Sequence, residues 1–231
     1  MDISIVADIT KSPLRRSLYH FTRASNLQAI AHFDALYSPS VIAPHLSKGI
    51  RRSLKHSTLF NEQSVVLNAH LRITDDAMDP STTPEQFRTC LDRHVFLWPT
   101  KRDCLTMLGM YSRREPDESF AVLQLDAAAL LTDHFDVIAL SKYDSGSSPR
   151  YPHRMSYRKS CEMFLPLHRF KQSTATFVPS KPSEIKEILV AGPLTPLSKY
   201  LQTIYCTAES LVPLRWNALA KPLATLHEDG K

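Results

Sequence analysis

The chain has 231 residues, of which 43% are hydrophobic and 22% are charged. These values are ordinary for globular proteins, so they exclude a disordered or fibrous chain and predict one domain with its own core. No apolar run reaches the roughly 20 residues that span a bilayer, and the first residues lack the basic and apolar regions of a signal peptide. We therefore expect a cytoplasmic protein with no membrane partner. The net charge of +5 permits a polyanionic partner.

The four cysteines, five glycines and ten histidines exclude several kinds of site. No two cysteines form a CxxC pair, so we expect reduced thiols and no zinc ribbon. The glycines match none of the patterns of Rossmann, P-loop and α/β-hydrolase sites, whose turns need glycine at fixed positions. The histidines show no metal-ligand spacing beside a carboxylate, so no metal site is predicted.

Hydrophobic periodicity and turn residues predict an alternation of strands and helices. We expect strands at 18–22, 64–67, 94–99, 120–125, 135–140, 161–167 and 185–190. We expect helices after a cap at Ser25 or Asn26, after a capping box at Thr100, over 126–131 and over 196–208. Segments 74–85 and 142–158 have the composition of exposed loops, and the tail after about residue 212 is weakly specified. The fold class that follows is a single α+β domain over residues 1–231.

One stretch combines a single carboxylate with many cations. Between residues 150 and 171, Glu162 is the only acid among six basic residues, namely Arg150, Arg154, Arg158, Lys159, Arg169 and Lys171. Positive neighbours would keep Glu162 ionised, which suits a group that binds a sugar hydroxyl or faces a developing cation. From composition alone, a surface glutamate paired with Arg158 or Arg169 is the commoner arrangement.

Four segments in chain order carry a family resemblance. They are Tyr19-His20-Phe21-Thr22 with Asn26-Leu27 and Ile30, then Ile50-Arg51-Arg52, then His94 to Arg102, and finally Arg158 to Leu165. Together these segments resemble the motifs of the DarT-type nucleic-acid ADP-ribosyltransferase toxins and cover most of residues 18–190. The resemblance implies an ADP-ribosyltransferase-like split antiparallel β-sheet core with flanking helices.

The same resemblance implies a reaction and roles for residues. NAD⁺ would be the co-substrate, and ADP-ribose would pass to a DNA or RNA base, in a toxin or anti-phage effector restrained by an antitoxin protein. Glu162 would bind the nicotinamide ribose and activate the acceptor, His20 would hold a ribose hydroxyl, and Arg51 would stand near the pyrophosphate. The other expected cofactor-binding residues are Tyr19, Phe21, Thr22, Asn26, Arg52 and Trp98. The expected nucleic-acid-binding residues are Arg150, Arg154, Arg158 and Lys159, with Tyr143, Tyr151 or Tyr157 available to stack on a base.

Several alternatives remain open at the level of sequence. Glu187 also lies in an apolar strand and competes with Glu162 for the catalytic role, and at most one of Arg51 and Arg52 is expected to face the cleft. His20 and Trp98 could equally be core residues. NAD⁺ hydrolysis, an RNA 2′-phosphotransferase-like reaction and a catalytically silent nucleic-acid-binding domain are the competing functions.

Overall fold

Helices and short strands alternate along residues 3–147 and 157–228, the parts of the chain that the computed structural model describes. The helices are α1 (Ile3–Thr10), α2 (Leu27–Phe33), α3 (Pro39–Ile42), α4 (Pro84–Asp92), α5 (Lys101–Arg114), α6 (Ala127–Asp133) and α7 (Thr225–Glu228). The strands are β1 (Ser17–Arg23), β2 (His56–Phe60), β3 (Gln63–Leu67), β4 (His94–Leu97), β5 (Phe120–Asp126), β6 (Ile138–Ser141), β7 (Phe164–Pro166), β8 (Glu187–Ala191), β9 (Leu201–Cys206) and β10 (Ala220–Pro222). This mixture confirms the predicted α+β class. No helix in these two ranges combines the length and apolar character needed to cross a membrane.

Within the described ranges, the strands form two four-stranded sheets and one separate hairpin. Sheet I has the strand order β1-β5-β9-β10 and is antiparallel except for its last pair. Sheet II has the order β4-β8-β6-β7 and is antiparallel throughout. The hairpin pairs β2 with β3. β8 is thus an inner strand of sheet II, with a neighbour on each side.

The two sheets are joined by one backbone pairing between β1 and the residue after β4. The N–H of Tyr19 donates to the carbonyl of Trp98 at 3.0 Å, and the N–H of Trp98 donates to the carbonyl of Tyr19 at 2.8 Å. β4 also pairs with the beginning of β8 beside this junction. His20 follows the junction on β1 and Glu187 begins β8, so the topology brings together two residues that are far apart in the chain.

Helix α5 packs over sheet I through a cluster of aromatic side chains. The ring of Phe21 on β1 lies 4.9 Å from that of Tyr111 on α5 and 5.3 Å from that of Phe120 on β5. Tilted aromatic pairs of this kind add to the free energy gained by burial. The predicted cap at Thr100 is confirmed, because its Oγ1 accepts a hydrogen bond from the backbone N–H of Asp103 at 3.1 Å. The second half of the predicted capping box is wrong, since the Asp103 carboxylate accepts from the Thr100 hydroxyl at 2.6 Å instead of from its backbone N–H. The helix is therefore fixed at its start and along one face.

Two predicted elements are wrong. The segment 196–208, predicted as a helix, is instead mostly strand β9. This strand lies between β5 and β10, and nearly all of its side chains are buried, so sheet pairing outweighs helical propensity. The strand predicted over 161–167 is reduced to β7, because β6 ends at Ser141 and offers partners only from Phe164 onward. Glu162 consequently lies in a 3-10 turn, Cys161–Met163, and not on a strand.

Candidate active site

A cleft of about 270 Å³ opens beside the junction of the two sheets. Its walls come from β1, α2, α3, β2, β3, α4, β4, α5 and the first residue of β8. One side is apolar, with Ala29, Ile30, Phe33, Leu36 and Phe60 among its residues. The polar residues that line it include His20, Thr22, Asn26, Arg52, Asn68, His70, Arg88, Asp92, His94 and Glu187. The cleft thus offers both ring-sized apolar contact and hydrogen-bonding groups.

His20 presents a defined tautomer to this cleft. Its Nδ1 lies 2.9 Å from the carbonyl oxygen of Phe96. Because a carbonyl only accepts, Nδ1 carries the proton and Nε2 keeps its lone pair. Burial lowers the pKa of His20 to about 4, although the hydrogen bond to Phe96 opposes that shift. At neutral pH the imidazole is uncharged and can accept a hydrogen bond from a hydroxyl group.

This burial predicts a pH dependence of stability. The pKa of His20 is about 4 in the folded protein against 6.5 ordinarily, so between these values the unfolded chain binds the proton more tightly. His20 thus contributes a fall in the free energy of unfolding as the pH drops from about 6.5 to about 4, whereas Glu187, whose pKa is raised, contributes in the opposite direction. The change in slope on His20→Gln isolates the His20 contribution, and we expect the slope to become less positive. Urea unfolding across this pH range measures it. The exposed His56 provides the matched control, His56→Gln, and an equal slope in all three proteins would contradict the prediction.

Glu187 is held by the turn that follows β6. The N–H and the hydroxyl of Ser145 both donate to Glu187 Oε2, at 3.1 and 2.6 Å. Burial raises the pKa of Glu187 to about 8, the carboxylate of Asp144 adds to this shift, and the bonds from Ser145 and the charge of Lys159 oppose it. Both of these hydrogen bonds go to Oε2, so Oε1 is not engaged by Ser145. Glu187 is thus a buried carboxyl group poised to gain or lose a proton near neutral pH.

A second polar group in the cleft is a network around Asp92. Arg52 donates from Nη2 and Nη1 to the two carboxylate oxygens at 3.1 and 3.3 Å. The backbone N–H of Arg52 donates to Nδ1 of His70 at 3.0 Å. Nε2 of His70 therefore carries the proton and donates to Asp92 at 2.9 Å. Although burial raises the pKa of Asp92, the bonds from His70 and Arg52 hold it below its ordinary value. Sequence reasoning missed His70 and Asp92, because no local motif joins residues from three separate segments.

Most of the predicted cofactor-binding residues line the cleft. They are His20, Phe21, Thr22, Asn26, Arg52 and Trp98. Asn26 also fixes the cleft wall, since its side chain donates to the carbonyl of Val66 and accepts from the same residue's N–H, at 3.0 and 2.8 Å. Tyr19 is outside the lining, and its backbone forms the sheet junction.

Two predicted catalytic residues are not brought to the cleft. Arg51 is exposed and does not line it, whereas its neighbour Arg52 does. Glu162 is also exposed and does not line it, whereas Glu187 does. The physical reason is that Glu162 precedes a short edge strand and lies in a turn, while Glu187 begins an inner strand. Arg52 and Glu187 are therefore the arginine and the glutamate that line the cleft together with His20.

A groove of about 380 Å³ adjoins the cleft, and we call it the tyrosine groove. It shares Trp98, Met107 and Glu187 with the cleft. The rings of Tyr143 and Tyr157 are stacked in it, with centroids 3.6 Å apart and planes 8° apart. Its basic residues are Arg113, Lys142 and Lys186, and its acids besides Glu187 are Asp103 and Asp144. Glu187 is thus in contact with two spaces.

Comparison with known protein families assigns this chain to a family. A family model described as "Family of unknown function (DUF7002)" matches residues 16–201. The chain belongs to the DUF7002 family. No curated protein matches it significantly. Every residue that lines the cleft lies inside the DUF7002 match, so the cleft is a feature of the family segment and not of an appended part.

The predicted nucleic-acid-binding residues of this DUF7002 chain are distributed differently from the expectation. Lys159 is completely buried, and its ammonium group donates to two backbone carbonyls, so it does not present a charge to a phosphate. Arg158 is exposed and lines an acidic depression with Asp75, Asp76 and Asp79. The remaining predicted residues, Arg150, Tyr151 and Arg154, lie outside the described residues.

Proposed function

We propose that this DUF7002 protein is an NAD⁺-dependent ADP-ribosyltransferase that modifies a nucleic acid base. The observation that carries the proposal is that His20 and Glu187 line one cleft together with Arg52 and Trp98. The resemblance of the sequence to the DarT-type enzymes supports the class of reaction. In this proposal Glu187 has the role that the sequence motif suggested for Glu162.

His20 and Trp98 would bind the nicotinamide ribose end of NAD⁺. A ribose hydroxyl donates to the lone pair on His20 Nε2, which stays available because Nδ1 is occupied by Phe96. The indole of Trp98, packed 6.2 Å from the ring of Phe21, provides a rigid apolar surface for a ring. Arg52, held by Asp92, contributes positive potential at the cleft wall for the pyrophosphate.

Glu187 would act on the bond between nicotinamide and ribose. When this bond breaks, its electron pair leaves with the neutral nicotinamide, and C1′ of the ribose acquires oxocarbenium character. A carboxylate beside this cation binds the transition state better than the ground state, which raises turnover. A base nitrogen then bonds to C1′, and its proton passes to the Glu187 carboxylate. The cationic nicotinamide ring of bound NAD⁺ favours the ionised form of Glu187 before this step.

The tyrosine groove would receive the acceptor. It reaches Glu187 from outside the cleft, so an acceptor in it meets the reacting carbon without displacing NAD⁺. The stacked pair of Tyr143 and Tyr157 offers aromatic surface for a base, and such stacking tolerates many sequences. Burial, together with the negative charge of Asp144, raises the pKa of Tyr157 to about 12, so this ring stays neutral. Arg113 supplies positive charge in the groove for a phosphate, whereas Lys142 and Lys186 are paired with Glu184 and Asp103.

Product analysis tests the proposal. The protein is incubated with NAD⁺ labelled in its adenylate phosphate and with single-stranded DNA and RNA oligonucleotides. We expect label on an oligonucleotide and an equal amount of free nicotinamide. Label in free ADP-ribose alone would favour hydrolysis, and removal of a 2′-phosphate from RNA would favour the phosphotransferase. Calorimetry that shows oligonucleotide binding without NAD⁺ binding would contradict any NAD⁺-dependent enzyme.

A further inference from the structure

The buried lysine Lys159 is hydrogen-bonded to the turn that holds Glu187. Lys159 has no exposed surface, and its Nζ donates to the carbonyls of Asp144 and Ser145 at 2.7 and 2.9 Å. Ser145 is the residue that donates twice to the Glu187 carboxyl group. Buried ammonium groups are rare unless they are paired or hydrogen-bonded, because burial removes the charge from water. Here the two hydrogen bonds to the turn offset part of that cost in free energy.

The backbone of Lys159 is anchored independently of that turn. Its N–H donates to the carbonyl of Ala77 at 2.8 Å, and its carbonyl accepts from the N–H of Asp79 at 3.0 Å. The side chain therefore extends from a fixed point and binds the two carbonyls with its ammonium group. These bonds fix the direction of the peptide planes on each side of Ser145, and with it the direction of the Ser145 N–H.

We propose that Lys159 is a positioning residue, which holds the Asp144–Ser145 turn so that Ser145 donates both of its hydrogen bonds to Glu187 Oε2. The consequence is that Oε1 is kept for the ligand in the cleft. The catalytic part of this inference rests on the proposed function. The positioning part concerns the protein without NAD⁺ and does not depend on the proposed function.

Lys159 also acts on Glu187 through charge. The cation opposes the burial and the Asp144 charge that raise the pKa of Glu187. Burial lowers the pKa of Lys159 itself, against the attraction of Asp144 and Glu187. The other titratable or charged groups that share the two cavities next to Glu187 include Tyr157, Lys186, Asp103, His20, Arg52 and Asp92. Within the described residues, none of these six side chains hydrogen-bonds to the backbone carbonyls of Asp144 and Ser145 as Lys159 does.

Carboxyl NMR titration of the ¹³C-labelled protein without NAD⁺ tests the inference, with the Glu187 signal assigned from Glu187→Gln. Lys159→Met removes both the charge and the donors. We expect it to raise the Glu187 pKa by about one pH unit and to speed exchange of the Ser145 amide about tenfold. Lys159→Gln keeps a donor without the charge, so the pKa should rise while the amide stays protected. Lys181→Gln removes an exposed positive charge and is the matched control.

An unchanged Glu187 pKa and unchanged Ser145 exchange in both Lys159 variants would overturn the inference. If Lys159→Met does not fold, Lys159→Gln and Ser145→Ala decide the matter. Ser145→Ala removes one donor to Glu187 and should also raise its pKa. Faster exchange of the Ser145 amide in Lys159→Gln with no change in the Glu187 pKa would show that the turn does not hold the carboxyl group, and would overturn the inference. Because this titration needs no NAD⁺, its failure differs from failure of the proposed function. In an active enzyme, the pH midpoint of kcat/KM should move with the Glu187 pKa, which a merely structural loss would not produce.

Discussion

Glu187→Gln is expected to reduce kcat for ADP-ribosyl transfer by about 10²- to 10⁴-fold. The amide has the size of the carboxyl group but carries no negative charge for the oxocarbenium ion and takes no proton from the acceptor. NAD⁺ binding should be retained, because His20, Arg52 and Trp98 still line the cleft. The measurement is the rate of nicotinamide release in the presence of the oligonucleotide that accepts label.

Glu162→Gln is the matched control for this experiment. It removes a glutamate that is exposed and outside the cleft, and should leave the rate within about twofold of the wild type. The proposed mechanism requires ionised Glu187, and the pKa of this group is raised to about 8, so kcat/KM should increase as the pH rises to about 8 and then level off. An inactive Glu162→Gln with an active Glu187→Gln would reverse the assignment.

Arg23→Met is expected to lower the free energy of unfolding by about 3 kcal/mol. Arg23 is almost fully buried, and its guanidinium donates to Glu118, to both oxygens of Glu115 at 3.0 and 2.8 Å, and to Asn68. Methionine fills much of the same space but leaves two carboxylates without their buried cation. The midpoint and slope of urea unfolding, followed by circular dichroism, give the change in free energy.

Lys55→Met separates burial from charge in the same cluster. Lys55 binds Glu118 at 2.5 Å, but its side chain is 53% exposed. An exposed pair contributes less than about 1 kcal/mol, so we expect a small loss that disappears in 1 M salt, while the Arg23→Met loss persists. Equal losses for the two variants would show that the cluster is an ordinary surface ion pair.

The elements that sequence predicted correctly are those whose signal is local. A cap at Thr100 with its partner three residues later marks the start of α5, and a β-branched and aromatic run ending at a proline marks β4. The failures depend on partners elsewhere in the chain. β9 forms because β5 is available on one side, and β7 begins late because β6 stops at Ser141.

The candidate site could be predicted only in part for the same reason. His20 and Trp98 come from motifs that are short and continuous, and both reach the cleft. Glu187 reaches the cleft because it begins an inner strand, whereas Glu162 lies in a turn before an edge strand. A motif match does not contain that information. The hydrogen bond from His70 to Asp92 joins side chains from separate segments, which only the folded chain brings within bonding distance.

The wall shared by the cleft and the tyrosine groove has a kinetic consequence for the proposed enzyme. Trp98, Met107 and Glu187 border both spaces, so the donor and the acceptor would occupy separate spaces on either side of these residues. Neither molecule then obstructs the other on its way in. Such an arrangement favours a random order of substrate addition, with chemistry starting only when both sides of the partition are filled.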